Sequence, residues 1–139
     1  PILTDRRLAA ALTAVVARSA VPTSVRVDLP EGRRPAAATE GAAYYVVTEA
    51  LTNVAKHASA STAAVTVSVL EGHEESSGAQ GEPGSLQVAV EDDGAGGAML
   101  SKGHGLAGLA DRVEGLGGRF SVHSPDGGPT RVVALLPWT

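Results

Sequence analysis

The chain has no cysteine and very few aromatic residues: 3%, made up of one Trp, one Phe and two Tyr. The first absence excludes disulfides and thiolate-held metals and fits a reducing compartment. The second leaves Val, Leu and Ala to fill the core of a chain that is 43% hydrophobic. No apolar run approaches the roughly 20 residues that span a bilayer as a helix. Basic residues form no run longer than the pairs Arg6-Arg7 and Arg33-Arg34, and the net charge is −4. That balance lacks the basic footprint of a nucleic-acid partner. The start, Pro1-Ile2-Leu3-Thr4-Asp5-Arg6, has neither an initiator Met nor the charged-then-apolar order of a signal peptide. A piece cut from a longer protein is expected.

What is abundant is glycine, 17 residues with three local clusters, in a chain of 139 residues. That length suits one domain, 1–139, with a real core. Apolar residues spaced by three and four (Leu8, Ala11, Leu12, Val15, Val16) predict a helix over 4–20, ended by Pro22. Alternation predicts a strand over 24–29, and a long helix follows over roughly 38–58. A second strand is expected over 62–70 and a third over 86–92. Between them residues 71–85 are almost wholly polar and turn-forming, as a flexible hairpin loop would be. Leu106, Leu109, Ala110, Val113 and Leu116 mark a last helix, stopped by Gly117-Gly118. Strands over 119–124 and 130–136 close the chain. With hairpins dominant and helices few, the expected fold is α+β: a two-layer sandwich with helices on one face of a mixed sheet.

Three constellations carry chemistry. On the long helix, Glu49, Asn53, Lys56 and His57 fall within about a third of the circumference at roughly 100° per residue. Ala43, Ala50, Leu51, Val54 and Ala58 take the opposite, core-facing side. Such a stripe can hold a metal–phosphate group and leave a base available, or it can be a solvated polar face. Next, Asp92-Asp93-Gly94-Ala95-Gly96-Gly97 sits where a strand ends. Its glycines let backbone approach a ligand, and its carboxylate can accept from an exocyclic amine; a plain Asp-Gly turn is the alternative. Third, Gly103-His104-Gly105-Leu106 opens the last helix, as an anion cradle or a flexible cap. It follows neither the Rossmann order nor the P-loop pattern.

Taken together and in this order, the three constellations resemble the ATP-binding catalytic domain of sensor histidine kinases. That family lies within the gyrase, heat-shock chaperone, histidine kinase and mismatch-repair ATPase superfamily. Glu49 to Asn53 to Lys56-His57-Ala58 is similar to its N box, Asp92-x-Gly94-x-Gly96 to its G1 box, and Gly103-His104-Gly105-Leu106 to its G2 box. The likeness spans residue 8 to Pro137. Its wording, Glu-Ala-Leu-Thr-Asn-Val-x-Lys-His-Ala with a later Gly-Leu-Ala-Asp-Arg-Val-Glu-Gly-Leu-Gly-Gly, is most similar to the branch that drives NarL-type response regulators.

The resemblance implies a Bergerat-type sandwich with a five-stranded sheet and three helices on one face. It implies ATP and Mg²⁺ as ligands, with Asn53 on the metal and Asp92 accepting from the adenine amine. Glu49 would activate the attacking group, and Lys56 and His57 would lie near the phosphates. Gly103, His104, Gly105 and Leu106 would wrap the phosphates, with Gly94 and Gly96 shaping the loop. Thr130 would bond around the adenine Asp. Residues 97–103 would be a short lid, in which Lys102 is read as solvated. The partners implied are a dimerisation and phosphoacceptor domain and a response regulator. No phosphoacceptor histidine is matched, since His57 and His104 belong to the nucleotide motifs and His73 and His123 read as surface residues. The chain alone should therefore bind ATP without completing autophosphorylation. A monomeric, cytoplasmic domain making no membrane contact of its own is expected, and Trp138 reads as a packing anchor. An anti-sigma-factor-type serine kinase and a non-catalytic nucleotide sensor are the competing readings.

Overall fold

The computed structural model describes residues 7–30, 32–58, 60–71, 83–95 and 106–139. The helices are α1 (Arg7–Ala17), α2 (Ala37–Asn53, continued by a π-helical turn, Val54–Ala58) and α3 (Leu106–Gly115). The strands are β1 (Thr23–Val27), β2 (Ala63–Glu71), β3 (Pro83–Asp92), β4 (Arg119–His123) and β5 (Thr130–Pro137). They form one five-stranded sheet in the order β1-β2-β3-β5-β4. β1 runs parallel to β2 and every other pair is antiparallel, so the sheet is mixed as expected.

Side-chain alternation explains the two layers. Val65 and Val67 of β2, Leu86, Val88 and Val90 of β3, and Val132, Ala134 and Leu136 of β5 are all buried. These positions share one face because strand side chains repeat every two residues. Leu8, Leu12 and Val15 of α1, Ala42, Ala43, Val46, Val47, Ala50 and Leu51 of α2, and Leu106, Leu109 and Val113 of α3 meet them in a single core. Each such Val or Leu contributes on the order of 1.5–3 kcal/mol by leaving water. Small Ala side chains on the buried face of α2 let that helix lie close to the sheet, which suits a chain poor in aromatics.

Helix ends are fixed by specific partners. α2 begins without a side-chain cap at Ala36. Instead the Ala36 N–H donates to the Trp138 carbonyl at 3.0 Å, and Thr39 Oγ1 donates to the Pro137 carbonyl at 2.7 Å. Trp138 is buried in the core, the packing anchor expected. Arg34 adds a forked pair to buried Glu40 in the first turn, with bonds of 2.9, 3.1 and 3.2 Å. Just past the end of α3, Gly117 lies in the left-handed region, φ +87, and the Gly117 and Gly118 N–H groups donate to the Glu114 and Val113 carbonyls at 2.9 Å. Arg112 of α3 lies 4.5 Å above the Tyr45 ring of α2.

Three expectations are corrected. The first helix, expected over 4–20, ends at Ala17, and residues 4–6 lie outside the described residues. The hairpin loop expected over 71–85 is narrower, because Glu71 lies in β2 and Pro83, Gly84 and Ser85 lie in β3. Antiparallel pairing with the neighbouring strand outweighs a polar composition there, and proline is tolerated as the first residue of a strand. The 38–58 helix is not α-helical throughout, since its last turn, Val54–Ala58, is π-helical. Of the surface histidines, His123 is exposed, and His73 lies outside the described residues.

Candidate active site

Three elements converge on one end of the sandwich: the C-terminal half of α2, the end of β3 and the start of α3. On α2, buried Ala50, Leu51 and Val54 set the rotation of the helix against the sheet, which leaves Glu49 and Asn53 half-buried. Thr48 and Thr52 bond their hydroxyls to the carbonyls of Tyr44 and Thr48 at 2.9 Å, so they do not compete for a ligand. The Asn53 side-chain nitrogen is buried without a hydrogen-bond partner. A buried amide group left unmet is costly, so this one is a candidate for meeting a ligand or water. The π turn follows at once, and wide turns of this kind often mark functional sites. It changes the angular spacing of the stripe beyond Asn53. Lys56 is exposed there, and His57 is described in its backbone only.

β3 is the central strand, and Asp92 is its last residue, paired with Ala63 on one side and Thr130 on the other. By alternation with Leu86, Val88 and Val90 its side chain faces the helix layer, and it is 5% exposed. The Gly94 N–H donates to Asp92 Oδ1 at 2.8 Å, which fixes the carboxylate. Burial pushes the Asp92 pKa above the ordinary carboxylate range; the Gly94 bond pulls it down, and the charges of Asp93 and Glu91 push it up again. A buried acceptor at a strand end, with one oxygen pinned and no other donor among the described residues, is built to receive a donor from a ligand. Thr130 is also buried, and its hydroxyl lies 2.6 Å from Ser124 Oγ, where the resemblance implied a bond around Asp92 instead.

The loop after β3 is gripped from both sides. Asp93 accepts from the Ser61 N–H at 2.7 Å, the Thr62 N–H at 2.9 Å and Thr62 Oγ1 at 3.1 Å. These bonds hold its pKa below the ordinary range. Opposite, the Gly127 N–H donates to the Ala95 carbonyl at 2.8 Å. Gly128, at φ +75, sits so close to the Gly94 carbonyl that a Cβ there would overlap it. Gly94 is described and buried, whereas Gly96, the 97–103 segment and Gly103, His104 and Gly105 lie outside the described residues. Leu106 is buried as the first residue of α3. The strand ends also border an open depression of about 610 Å³, with Thr23, Thr62, Glu91, Asp92 and Asp93 in its wall. Neither Glu49 nor Asn53 lines it, so of these three residues only Asp92 borders it.

Comparison with known proteins decides the family. Residues 38–139 match the family model described as histidine kinase-, DNA gyrase B-, and HSP90-like ATPase. The chain belongs to this ATPase family. It is 37% identical over 86 residues to the sensor histidine kinase YxjM of Bacillus subtilis, a match covering 60% of this chain and 18% of that protein. It is 31% identical over 99 residues to the sensor histidine kinase YdfH of the same organism, covering 68% of this chain and 22% of that one. The matched region is thus about a fifth of each relative's length. Among solved structures, the blue-light activated histidine kinase of Erythrobacter litoralis EL346 superposes with a TM-score of 0.68 at 26% identity, covering 97% of this chain and 42% of that chain. The histidine kinase AdeS of Acinetobacter baumannii shares the fold at a TM-score of 0.61 and 13% identity, covering 96% of this chain and 62% of that chain. The architecture is that of histidine kinase ATP-binding domains, and the family makes ATP the nucleotide.

Sequence reasoning singled out Asp92, Asn53 and Glu49, and the fold sets Asp92 at the end of β3 and the other two on α2, which packs against that strand. It missed Asp93 as a tie to residues 61 and 62 and Ser124 as the partner of Thr130. The second Asp of the Asp-Asp-Gly run was the available signal for the first. Among the described residues no helix is long and apolar enough to cross a membrane.

Proposed function

We propose that this chain is the ATP-binding catalytic domain of a two-component sensor histidine kinase and donates the γ-phosphoryl group of ATP to a histidine on a separate dimerisation domain. The observation that carries the reading is Asp92, a buried carboxylate pinned by Gly94 at the end of the central strand and facing the helix layer. Its free oxygen accepts from the adenine amine, which orients the base with the phosphates toward α2 and α3. The glycines that open α3, Gly103 and Gly105, with His104 and Leu106, supply N–H groups to the phosphates. Lys56 adds positive charge at the wide end of α2, and His57 is the second residue of that turn read as near the phosphates. Thr130, held by Ser124, and Gly94 and Gly96 shape the adenine end.

Mg²⁺ fits the donor set. The unmet Asn53 amide nitrogen is a donor, so the oxygen of the same amide is the atom that would face a cation, and no cluster of three or more His, Cys, Asp or Glu exists among the described residues. Asn53 would hold it, with phosphate oxygens and water as the other ligands, and the ion would neutralise charge on the β- and γ-phosphates. Glu49, one turn before Asn53, takes the proton of the attacking group. In the transfer itself the bond from the γ-phosphorus to the bridging oxygen breaks, a phosphorus–nitrogen bond to the acceptor imidazole forms, and ADP leaves. Transfer from that histidine to an aspartate of a NarL-type response regulator completes the relay. The wording around residues 49–58 and 105–118 supports the NarL-type branch. We further propose a single domain over 1–139, monomeric alone and cytoplasmic within its parent. Both curated relatives carry histidine kinase names, and the serine-kinase reading draws no support from them.

Calorimetric titration with a non-hydrolysable ATP analogue, with and without Mg²⁺, tests the reading. Binding that strengthens with Mg²⁺ and falls by at least about tenfold in Asp92→Asn is the expected result. Absence of binding in the unaltered chain, or an Asp92→Asn variant that binds as well, overturns it.

A further inference from the structure

Asp92 has a neighbour whose carboxylate is fully committed. Asp93 side-chain oxygens take two backbone N–H groups and one hydroxyl from Ser61 and Thr62, 31 and 32 residues earlier in the chain. The Asp93 N–H returns a bond to the Thr62 carbonyl at 3.3 Å. The regular β2–β3 ladder ends at the pair Ala63 and Asp92, so these bonds carry the pairing one step beyond the strands. Residues 60–62 join the π-helical end of the Asn53 helix to β2. One side chain therefore connects the segment leaving the Asn53 helix with the strand end that bears Asp92.

We propose that Asp93 is a positioning residue for adenine recognition, tying the segment that leaves the Asn53 helix to the loop of Asp92 so that the Asp92 carboxylate keeps the orientation that reads the base. The inference rests on the reading of Asp92 as the adenine acceptor. Asp93 is exposed, and its three side-chain bonds all go to Ser61 and Thr62, so its part here is to hold the loop in place. Exposed hydrogen bonds add little to global stability. Their value here is geometric: three bonds converging on one carboxylate leave the loop a single arrangement. Gly127 and Gly128 block movement on the other flank, at Ala95 and Gly94. Without the Asp93 tie the loop can shift on one side only, and that shift turns Asp92. Misplacing a recognition group by as little as about 1 Å is enough to lose most of its selectivity.

The experiment measures Mg²⁺-ATP and Mg²⁺-GTP affinities by calorimetry on the 139-residue chain, with a thermal melt for each variant. The ratio of the two affinities reports how well the base is read, and a merely structural role would not move it. Asp93→Ala should lower the preference for ATP on the order of tenfold while remaining folded. Asp93→Asn should keep it, because the amide oxygen still accepts from both N–H groups and the amide nitrogen donates to Thr62 Oγ1. If Asp93→Ala does not fold, Thr62→Val decides, since losing the hydroxyl bond must still lower the ratio several-fold. Unchanged preference in a folded Asp93→Ala, or its loss in Asp93→Asn, overturns the proposal. With either outcome, a normal preference in the unaltered chain that Asp92→Asn abolishes shows that the adenine reading itself stands. No ATP preference in the unaltered chain overturns both.

Discussion

Replacing Asp92 by Asn should move binding and stability in opposite directions. The Oδ1 bond from Gly94 survives the change, because the amide oxygen takes the same place. The second oxygen becomes an NH₂ group, a donor facing a donor on adenine. A hydrogen bond to a charged acceptor is worth about 1.5–3 kcal/mol, so ATP affinity should fall roughly 10- to 150-fold. Stability follows from the direction of the Asp92 pKa, which is above its ordinary value chiefly because of burial. An acid whose folded-state pKa is raised binds its proton more readily folded than unfolded. Its charged form therefore weighs against folding at neutral pH, and stability rises as pH falls through the raised pKa toward the ordinary value near 3.9. Asn carries no charge, so the ligand-free variant should melt higher at pH 7 and lose this acid-side rise. ATP binding to the unaltered chain should weaken over the same interval, as protonation removes the acceptor. Calorimetric Kd values and thermal melts from about pH 4, near the ordinary carboxylate value, up to neutral pH check every arm. A Kd within twofold of the unaltered chain, or a lower melting temperature at pH 7 with affinity retained, refutes the assignment.

Asn53→Ala should abolish most of the Mg²⁺ enhancement of ATP-analogue binding while leaving the melting temperature nearly unchanged, because the amide nitrogen has no protein partner to lose; paired titrations with and without the ion test this. Arg34→Met should destabilise by about 1–3 kcal/mol in urea unfolding, since it strips a forked pair from buried Glu40 and leaves that carboxylate without those bonds. Gly118→Ala should cost about 1–3 kcal/mol, because a Cβ there would overlap the Leu135 carbonyl and crowd Val113, forcing α3 off β5. Denaturant midpoints measure it, and a variant as stable as the unaltered chain contradicts the close approach.

The architecture was readable because two periods are written plainly. Val65, Val67, Val132 and Ala134 alternate with polar or half-exposed neighbours, while Leu8, Leu12 and Val15 or Leu106, Leu109 and Val113 step by three and four. Residues with one burial pattern over several turns leave only one element type. The π turn at Val54–Ala58 was not readable, since the shift from one hydrogen-bond step to the next is made by the backbone and leaves no mark in residue type. Nor was the joining of Pro83, Gly84 and Ser85 to β3, because the partner strand supplies those bonds. Asp92 stood out in the sequence through its glycines. Asp93 did not, because a tie across 31 residues depends on β2 and β3 being neighbours.

That difference explains how the site is built. A central strand has a neighbour on each side, so its end can be held from both flanks, and β3 is the middle of five. Asp92 occupies that end. Its buried charge weighs against the fold, and the Gly94 N–H, the Asp93 bonds to Ser61 and Thr62, and the Gly127–Ala95 bond hold the surrounding loop against relaxing to expose it. On an edge strand such as β1 or β4 the same carboxylate would lack one of these braces and could turn toward water. A selective acceptor for an amine needs a carboxylate that is dry, fixed and unpaired at once. In this sheet the end of β3 meets all three requirements, which is what the role proposed for Asp92 asks of it.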